Sequence, residues 1–392
     1  MEHERGFALS SGLVEEIHAS PVSLVMAVTG GGSDAIAQLL QVPGASRTLL
    51  EAIVPYHPGA LAQYLQTPPA SSCSLATARS MAMVAFQRAL QLVPERDPAE
   101  LAGVSCTASL ATERKKKGEH RLHIAVQTCQ QSTATSLRFN KGQRQRAEEE
   151  EITKRLLLNE IAALCGVEHS LPVELLKGEQ TDRQIATARS MWPELLLGEI
   201  DSVCIRRSDG PPPLTLFPGA FNPLHEGHER MANIAADLTG SATVLEISII
   251  NVDKPPLDYA EMETRAQRAS GKFDLCFTRA ATFSAKASLF PGVTFVVGTD
   301  TIKRIAAPSY YGNDAANRDQ AISSIRDLGC RFLVFGRKEG AVFESLRDIS
   351  LPTSLLEICQ EVPQDRFRLD ISSTELRRHP LKSDPTQHRK SR

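Results

Sequence analysis

The chain has no apolar run near the ~18 residues that a membrane-crossing helix requires, so no membrane partner is expected. It has no excess of either charge. Forty-four Lys and Arg against 46 Asp and Glu leave a formal net charge of -2, which gives no global attraction to nucleic acid or to an anionic membrane. No CxxC pair occurs among its eight cysteines, Cys73, Cys106, Cys129, Cys165, Cys204, Cys276, Cys330 and Cys359. In a chain of this size that scatter predicts reduced thiols and a cytoplasmic setting. The opening residues Met1-Glu2-His3-Glu4-Arg5 have no basic segment ahead of an apolar stretch, so no secretory signal is expected.

What is present points to two folded parts. A length of 392 residues exceeds one ordinary core, and 42% hydrophobic with 23% charged residues is a globular balance. Glu148 to Leu164 reads as a long helix, with Ile152, Leu156, Ile161 and Leu164 as its apolar stripe and Gly166 as its stop. Glu150 facing Lys154 and Glu151 facing Arg155 at i, i+4 make its acidic run a solvated face. The expected organisation is α/β in both parts: a first domain over 1–166, a linker over 167–212, a second domain over 213–378, and a basic, disordered tail over 379–392. Pro211-Pro212-Pro213 reads as a stiff spacer before the second domain.

The densest chemistry lies in Phe217-Pro218-Gly219-Ala220-Phe221-Asn222-Pro223-Leu224-His225-Glu226-Gly227-His228. The apolar Leu214-Thr215-Leu216 before it reads as a buried strand, and Met231, Ile234, Ala235 and Leu238 after it recur at helical spacing. A strand, a Gly/Pro turn and a helix start carrying two imidazoles suit a phosphate, because the first turn of a helix has unpaired N–H groups and partial positive charge. The competing reading is a structural or metal-binding pair. Two histidines at i, i+3 without a third ligand make a poor zinc site, so no protein-held metal is expected.

Two further strings lie downstream. Val293-Thr294-Phe295-Val296-Val297-Gly298-Thr299-Asp300 is an apolar strand ending in Gly-x-Asp, where ligands of open parallel sheets sit; Asp300 could equally N-cap the following helix. Ile371-Ser372-Ser373-Thr374-Glu375-Leu376-Arg377 has the spacing of a capping box, with amides free to meet an anion and Arg377 near enough to add charge. Together the three strings resemble the HxGH nucleotidylyltransferase superfamily, and ISSTxxR resembles its nicotinamide-mononucleotide and pantetheine-phosphate adenylyltransferases. The resemblance implies a doubly wound parallel sheet with nucleotide at the switch point. It implies ATP held by Gly219, Phe221, Asn222, Gly298, Asp300, Ser372, Ser373 and Thr374, and catalysis by His225, His228 and Arg377. Mg²⁺ would arrive with ATP. Lys254, and more weakly the helix arginine Arg265, are candidates for the acceptor phosphate, although loop lysines and helix-surface arginines are commonly just solvated.

The first part has its own signature. Val22–Val28 reads as a strand, Thr29-Gly30-Gly31-Gly32-Ser33-Asp34 as a tight turn, and Leu122–Thr128 as a closing strand. With Val42-Pro43-Gly44-Ala45-Ser46 and Ala102-Gly103-Val104-Ser105-Cys106-Thr107-Ala108, residues 20 to 165 resemble the C-terminal domain of the competence-damage-inducible A (CinA) family, the nicotinamide-nucleotide amidase fold. The departures fall on the chemistry. Where the family has ESCTGG, this chain has Met26-Ala27-Val28-Thr29-Gly30-Gly31, so Ala27 replaces the nucleophilic serine. Leu61 stands where a lysine follows Tyr56 in the family, and Ser33 or Ser105 could stand in only without a neighbouring base. The Gly30-Gly31-Gly32 turn could still bind an anion.

The expected function is nucleotidylyl transfer from ATP to a small phosphorylated acceptor. Nicotinamide mononucleotide is favoured by the fused CinA-like part, pantetheine phosphate remains open, and cytidylyl transfer is a third course. A nucleotide-binding regulatory protein without turnover is the alternative from another class. The first part is expected to bind or assemble, making the chain a homo-oligomer.

Overall fold

The computed structural model describes residues 2–113, 117–207, 213–251, 255–339 and 342–367. The first elements are α1 (Glu2–Ala19), β1 (Ser23–Thr29), α2 (Ser33–Gln41), α3 (Ala45–Thr48), β2 (Leu49–Ile53), α4 (Pro58–Tyr64), α5 (Leu75–Leu92), β3 (Leu101–Ser109), β4 (Arg121–Gln127), β5 (Gln131–Arg138), α6 (Arg146–Leu164), β6 (Thr181–Thr187) and α7 (Trp192–Leu197). Then come β7 (Ser202–Ile205), β8 (Thr215–Pro218), α8 (Glu226–Thr239), β9 (Thr243–Ser248), α9 (Tyr259–Ala269), β10 (Asp274–Thr278), α10 (Phe283–Leu289), β11 (Thr294–Gly298), α11 (Thr299–Ala306), α12 (Ala315–Asp327), β12 (Arg331–Phe335), β13 (Arg337–Glu339), β14 (Val342–Glu344), α13 (Thr353–Leu356) and β15 (Cys359–Glu361). The chain divides into one unit of Met1–Leu197 with Ile250–Glu263 and another of Gly198–Ile249 with Thr264–Arg392.

The first unit is built on a six-stranded sheet of order β2-β1-β3-β4-β5-β6, parallel at β2-β1-β3 and antiparallel from β3 onward. Strand alternation sends Leu24, Met26 and Val28 of β1 into the larger core with Leu13 and Ile17 of α1 and Leu157 of α6. The opposite face is lined by small residues, Ala125 and Ala134 of the strands meeting Ala78 and Ala82 of α5. Small residues let α5 come close. A Cβ on Gly103 would lie 2.1 Å from the Ala82 carbonyl oxygen and 2.2 Å from the Phe86 nitrogen, so the helix backbone rests where a side chain would be. Leu122–Thr128, expected to close the sheet, lies inside it instead, because β5 and β6 add two more antiparallel strands.

The segment 250–263 belongs to this unit through Tyr259, which is fully buried. The Tyr259 hydroxyl donates to the Cys129 carbonyl at 2.6 Å, its backbone N–H donates to Ser132 Oγ at 3.1 Å, and its ring stacks on Trp192. Beside it Arg79 forks onto both carboxylate oxygens of Asp258. Arg189 does the same to Glu263, at 2.7 Å for each bond.

The acidic run on α6 is not a solvated face. Glu149 is wholly buried, accepting from His120 at 2.8 Å and from the Ala111 N–H at 2.6 Å. Glu150 turns away from Lys154 and takes the Gly32 N–H at 2.7 Å. Only Glu151 keeps the expected kind of partner, pairing with Arg155 at 2.8 Å and also with Lys154 at 2.5 Å, and both cations pull its carboxyl below the ordinary range against the opposing effect of burial. Buried carboxylates of this kind are tolerated because each is hydrogen-bonded.

The second unit carries a seven-stranded sheet of order β15-β12-β11-β8-β9-β10-β7. From β10 to β15 the strands are parallel, in the 3-2-1-4-5-6 order of a doubly wound sheet. Helices cover both faces: Thr243 donates to the α8 carbonyl of Ala232 on one side, while Glu246 meets Lys286 of α10 on the other. The segment 167–212, expected as a linker, contributes β6 to the first sheet and β7 to the second. Burial explains why it was not legible: β6 is exposed along nearly its whole length, so no buried face stamps a period on its sequence. Asp209, Gly210, Pro211 and Pro212 lie outside the described residues.

The expectation that all eight cysteines are reduced does not hold. β7 pairs antiparallel with β10 in a register that sets Cys204 directly opposite Cys276, and the two sulfurs are joined in a disulfide. The others among the eight remain thiols.

The approach of α5 to β3 predicts that Gly103→Ala lowers stability by about 1–3 kcal/mol, the usual cost of overpacking. Urea unfolding followed by circular dichroism measures it, and an unchanged midpoint would refute the packing argument.

Candidate active site

The switch point of the second sheet lies between β8 and β11, which are parallel neighbours with connections leading in opposite directions. A helix starts just beyond the carboxyl end of each, α8 at Glu226 and α11 at Thr299. Two helix N-termini at adjacent strand ends concentrate unpaired N–H groups and positive potential in one crevice.

The turn from β8 to α8 is shaped by Phe221. Its φ of 43° is in the left-handed region, which costs a non-glycine residue of order 1 kcal/mol or more. Packing holds it there. The Phe221 ring, buried, meets Phe217 edge-on at 5.2 Å between centroids and His228 at 5.1 Å. Gly219 makes room, since a Cβ there would fall 2.7 Å from the Phe221 Cζ. The Asn222–Pro223 peptide is cis. From the sheet side the Glu246 carbonyl accepts the Gly219 N–H at 2.9 Å.

His225 is the N-cap of α8, with its Nδ1 accepting the Gly227 N–H at 3.1 Å. The His228 Nδ1 reaches back to the His225 N–H at 3.4 Å, and the two rings stack 3.7 Å apart. An Nδ1 that accepts a hydrogen bond carries no proton, so each neutral ring has its proton on Nε2. The environment keeps the rings neutral. Burial pushes the His228 imidazole down to about 3, with His225 adding to the effect. Burial also lowers His225, reinforced by the positive charge of Arg337 and partly offset by Glu229. The pair is therefore two uncharged Nε2–H donors fixed at a helix start, an arrangement that can meet an anion.

The other candidates divide. Gly298 is itself the N-cap of α11, without a side-chain cap; Asp300 lies inside the first turn and does not N-cap it. The Asp300 carboxylate is ion-paired with Arg337, which follows β12. Arg265 is not a solvated surface arginine: it is buried, and its Nε–H donates to the Ala220 carbonyl at 3.0 Å. Lys254, Ser372, Ser373, Thr374 and Arg377 lie outside the described residues. No cluster of three or more His, Cys, Asp or Glu suited to a metal occurs among the described residues.

Sequence reasoning missed two groups near this crevice. Arg337 belongs to a Gly-Arg step after an apolar strand, which could have flagged it. Glu246, in the strand Thr-Val-Leu-Glu-Ile-Ser, is fully buried and accepts from Lys286 at 2.7 Å and from Thr278 at 2.5 Å. A lone acid in an apolar strand and a lone lysine in the apolar helix α10 were the visible signs.

In the first unit, the two positions that depart from the CinA-like pattern are apolar and buried. Ala27 and Leu61 sit together with Leu65 and Met81 in a buried apolar cluster. Ser105 is wholly buried with its hydroxyl given to the Ala78 carbonyl at 2.6 Å, so it is no replacement nucleophile. The glycine turn, expected to be open to an anion, already holds the Glu150 carboxylate.

Comparison with known proteins gives matches among solved structures. A competence/damage inducible protein CihA from Agrobacterium tumefaciens is 19% identical, over 40% of this chain and 94% of that one, with a TM-score of 0.32. A competence-damaged protein (CinA) superfamily protein from Escherichia coli is 18% identical over 40% and 87%, TM-score 0.32. The competence damage-inducible protein A (ComA) from Klebsiella pneumoniae is 15% identical over 41% and 99%, TM-score 0.32. No family model and no curated protein matches the chain. No helix among the described residues is long and apolar enough to cross a membrane.

The depressed His228 predicts an acid-side stability loss. Its folded pKa lies below the ordinary 6.5, so between about 6.5 and about 3 the unfolded chain binds a proton that the folded chain does not. Stability from this group is unaffected above that window and falls as pH drops through it. Histidine NMR titration and denaturation at stepped pH test this, and a His228 titrating near 6.5 would refute the buried, neutral ring.

Proposed function

We propose that the second unit transfers a nucleotidyl group from ATP to a phosphorylated small molecule, releasing pyrophosphate. The observation that supports this best is the convergence of two helix N-termini and two neutral, Nε2-protonated imidazoles at the switch point between β8 and β11. In this reading a phosphate oxygen of the acceptor attacks the α-phosphorus of ATP. A new P–O–P linkage forms, the bond from the α-phosphorus to its bridging oxygen breaks, and the electron pair leaves with pyrophosphate. The protein need only align the partners and neutralise developing charge.

His225 and His228 would donate to the triphosphate, and Gly298, at the start of α11, would leave its backbone open to it. Ser372, Ser373, Thr374 and Arg377 would hold the β/γ end, and Lys254 the acceptor phosphate. Asp300 would release Arg337 to reach the ribose. Mg²⁺ carried in with ATP would take its ligands mainly from phosphate oxygens and water, and would supply charge neutralisation. Nicotinamide mononucleotide is the proposed acceptor, with pantetheine phosphate second.

The full chain should release pyrophosphate from ATP with one of these acceptors in a coupled assay. His228→Ala should lower kcat by roughly 10²-fold or more, the scale for losing one preorganised donor. Turnover at the wild-type rate in that variant would remove His228 from the mechanism.

The first unit, in the same reading, binds or assembles and does not hydrolyse amides. Ala27 and Leu61 themselves supply neither nucleophile nor proton donor. Full-length protein should release no ammonia from nicotinamide mononucleotide. Release at an enzymatic rate that disappears on changing the exposed Ser33 would reverse this conclusion.

A further inference from the structure

We infer that Arg265 is a positioning residue for the histidine pair, acting through the turn that precedes α8. Its Nε–H fixes the Ala220 carbonyl at 3.0 Å, one residue before Phe221. Phe221 has the left-handed backbone, and its ring bears edge-on against His228. The chain of contact therefore runs from a buried guanidinium to a backbone carbonyl, to a ring held in an unfavourable conformation, and to the imidazole.

Each link has a physical reason. A left-handed phenylalanine is stable only while its surroundings over-determine it. The Phe217 ring and the space at Gly219 fix the ring from one end. The Arg265 bond fixes the peptide plane from the other. Arg265 is only 7% exposed, although arginine side chains are rarely buried without such a task. A hydrogen bond from a charged donor is among the stronger hydrogen bonds, enough to oppose the strain of a left-handed phenylalanine. Without it the turn relaxes, the Phe221 ring withdraws, and water reaches His228. An arginine that bound the acceptor would instead present its guanidinium to the phosphate and leave the turn unaffected.

The kinetic consequence rests on the proposed nucleotidylyl transfer; the structural one does not. In the full-length chain, Arg265→Met keeps the apolar stem and removes the donor, whereas Arg265→Lys keeps a charge and a donor in poorer geometry. The pH titration of the His228 ring by NMR, assigned by its loss in His228→Asn, reads the turn directly. Expected is a rise of at least about one pH unit toward the ordinary histidine range in Arg265→Met, with Arg265→Lys between it and wild type. If pyrophosphate release is present, kcat should fall about 10-fold or more with acceptor KM changed less than about 3-fold, since the residue would act on transition-state geometry. A folded variant of either kind whose His228 titrates as in the wild-type chain overturns the inference. So does a rise in acceptor KM without any change in that titration. Absence of pyrophosphate release from the wild-type chain would defeat the proposed reaction, and the titration order alone would then decide the role of Arg265.

Discussion

The candidate site depends on one ring. Phe221 occupies the left-handed region, fills the space that Gly219 leaves, and sets its edge against His228. That contact desolvates the imidazole, and desolvation is the main reason the ring stays neutral. A charged histidine would bind phosphate more strongly in the ground state. In the proposed transfer, a neutral donor held rigidly would favour the charge that builds up and would let product go. The apolar residues of the turn are thus as much a part of the electrostatics as the two imidazoles.

Both units carry acids where a sequence reading puts apolar or solvated positions, and they handle the cost differently. Glu149 is satisfied by an imidazole and a backbone N–H. Glu246 is satisfied at Oε1 by Lys286 and Thr278, while its Oε2 has no hydrogen-bond partner among the described residues. A buried ion pair with one orphaned oxygen contributes little stability, because desolvating two charges offsets their attraction. Its placement is more telling: the Glu246 carbonyl accepts the Gly219 N–H, so the turn after β8 is anchored beside this ion pair.

How far the sequence reached follows from range. The strand-turn-helix around His225 and His228 was legible because all its determinants lie within some two dozen residues: an apolar run, Gly and Pro, then a helical period. The strand ending at Gly298 was legible for the same reason, as was α6. What was not legible depends on partners far along the chain. Glu150 meets a glycine 118 residues away, and Cys204 meets Cys276 across 72. Local charge spacing on α6 favoured Glu150 with Lys154, and a tertiary hydrogen bond to a glycine turn outweighed that surface pair, which is worth only a few tenths of a kcal/mol. Arg265 looked like any helix arginine because nothing adjacent in sequence reveals the Ala220 carbonyl above it.

In the first unit too, the positions that depart from the CinA-like pattern are set among partners far along the chain. A serine at Ala27 would put a hydroxyl into an apolar cluster with Leu61, Leu65 and Met81, where burying it costs about 1–3 kcal/mol unless it is hydrogen-bonded. Restoring a lysine at Leu61 as well would place its ammonium in the same apolar space, favouring the neutral amine and straining the packing. The glycine turn that could stabilise a developing anion is already bonded to Glu150, and a second negative charge there would meet repulsion in a low-dielectric setting. The apolar cluster around Ala27 and Leu61 and the carboxylate in the turn reinforce one another. The polar contacts of the first unit hold Asp258 and Tyr259 by Arg79, Ser132 and the carbonyl of Cys129.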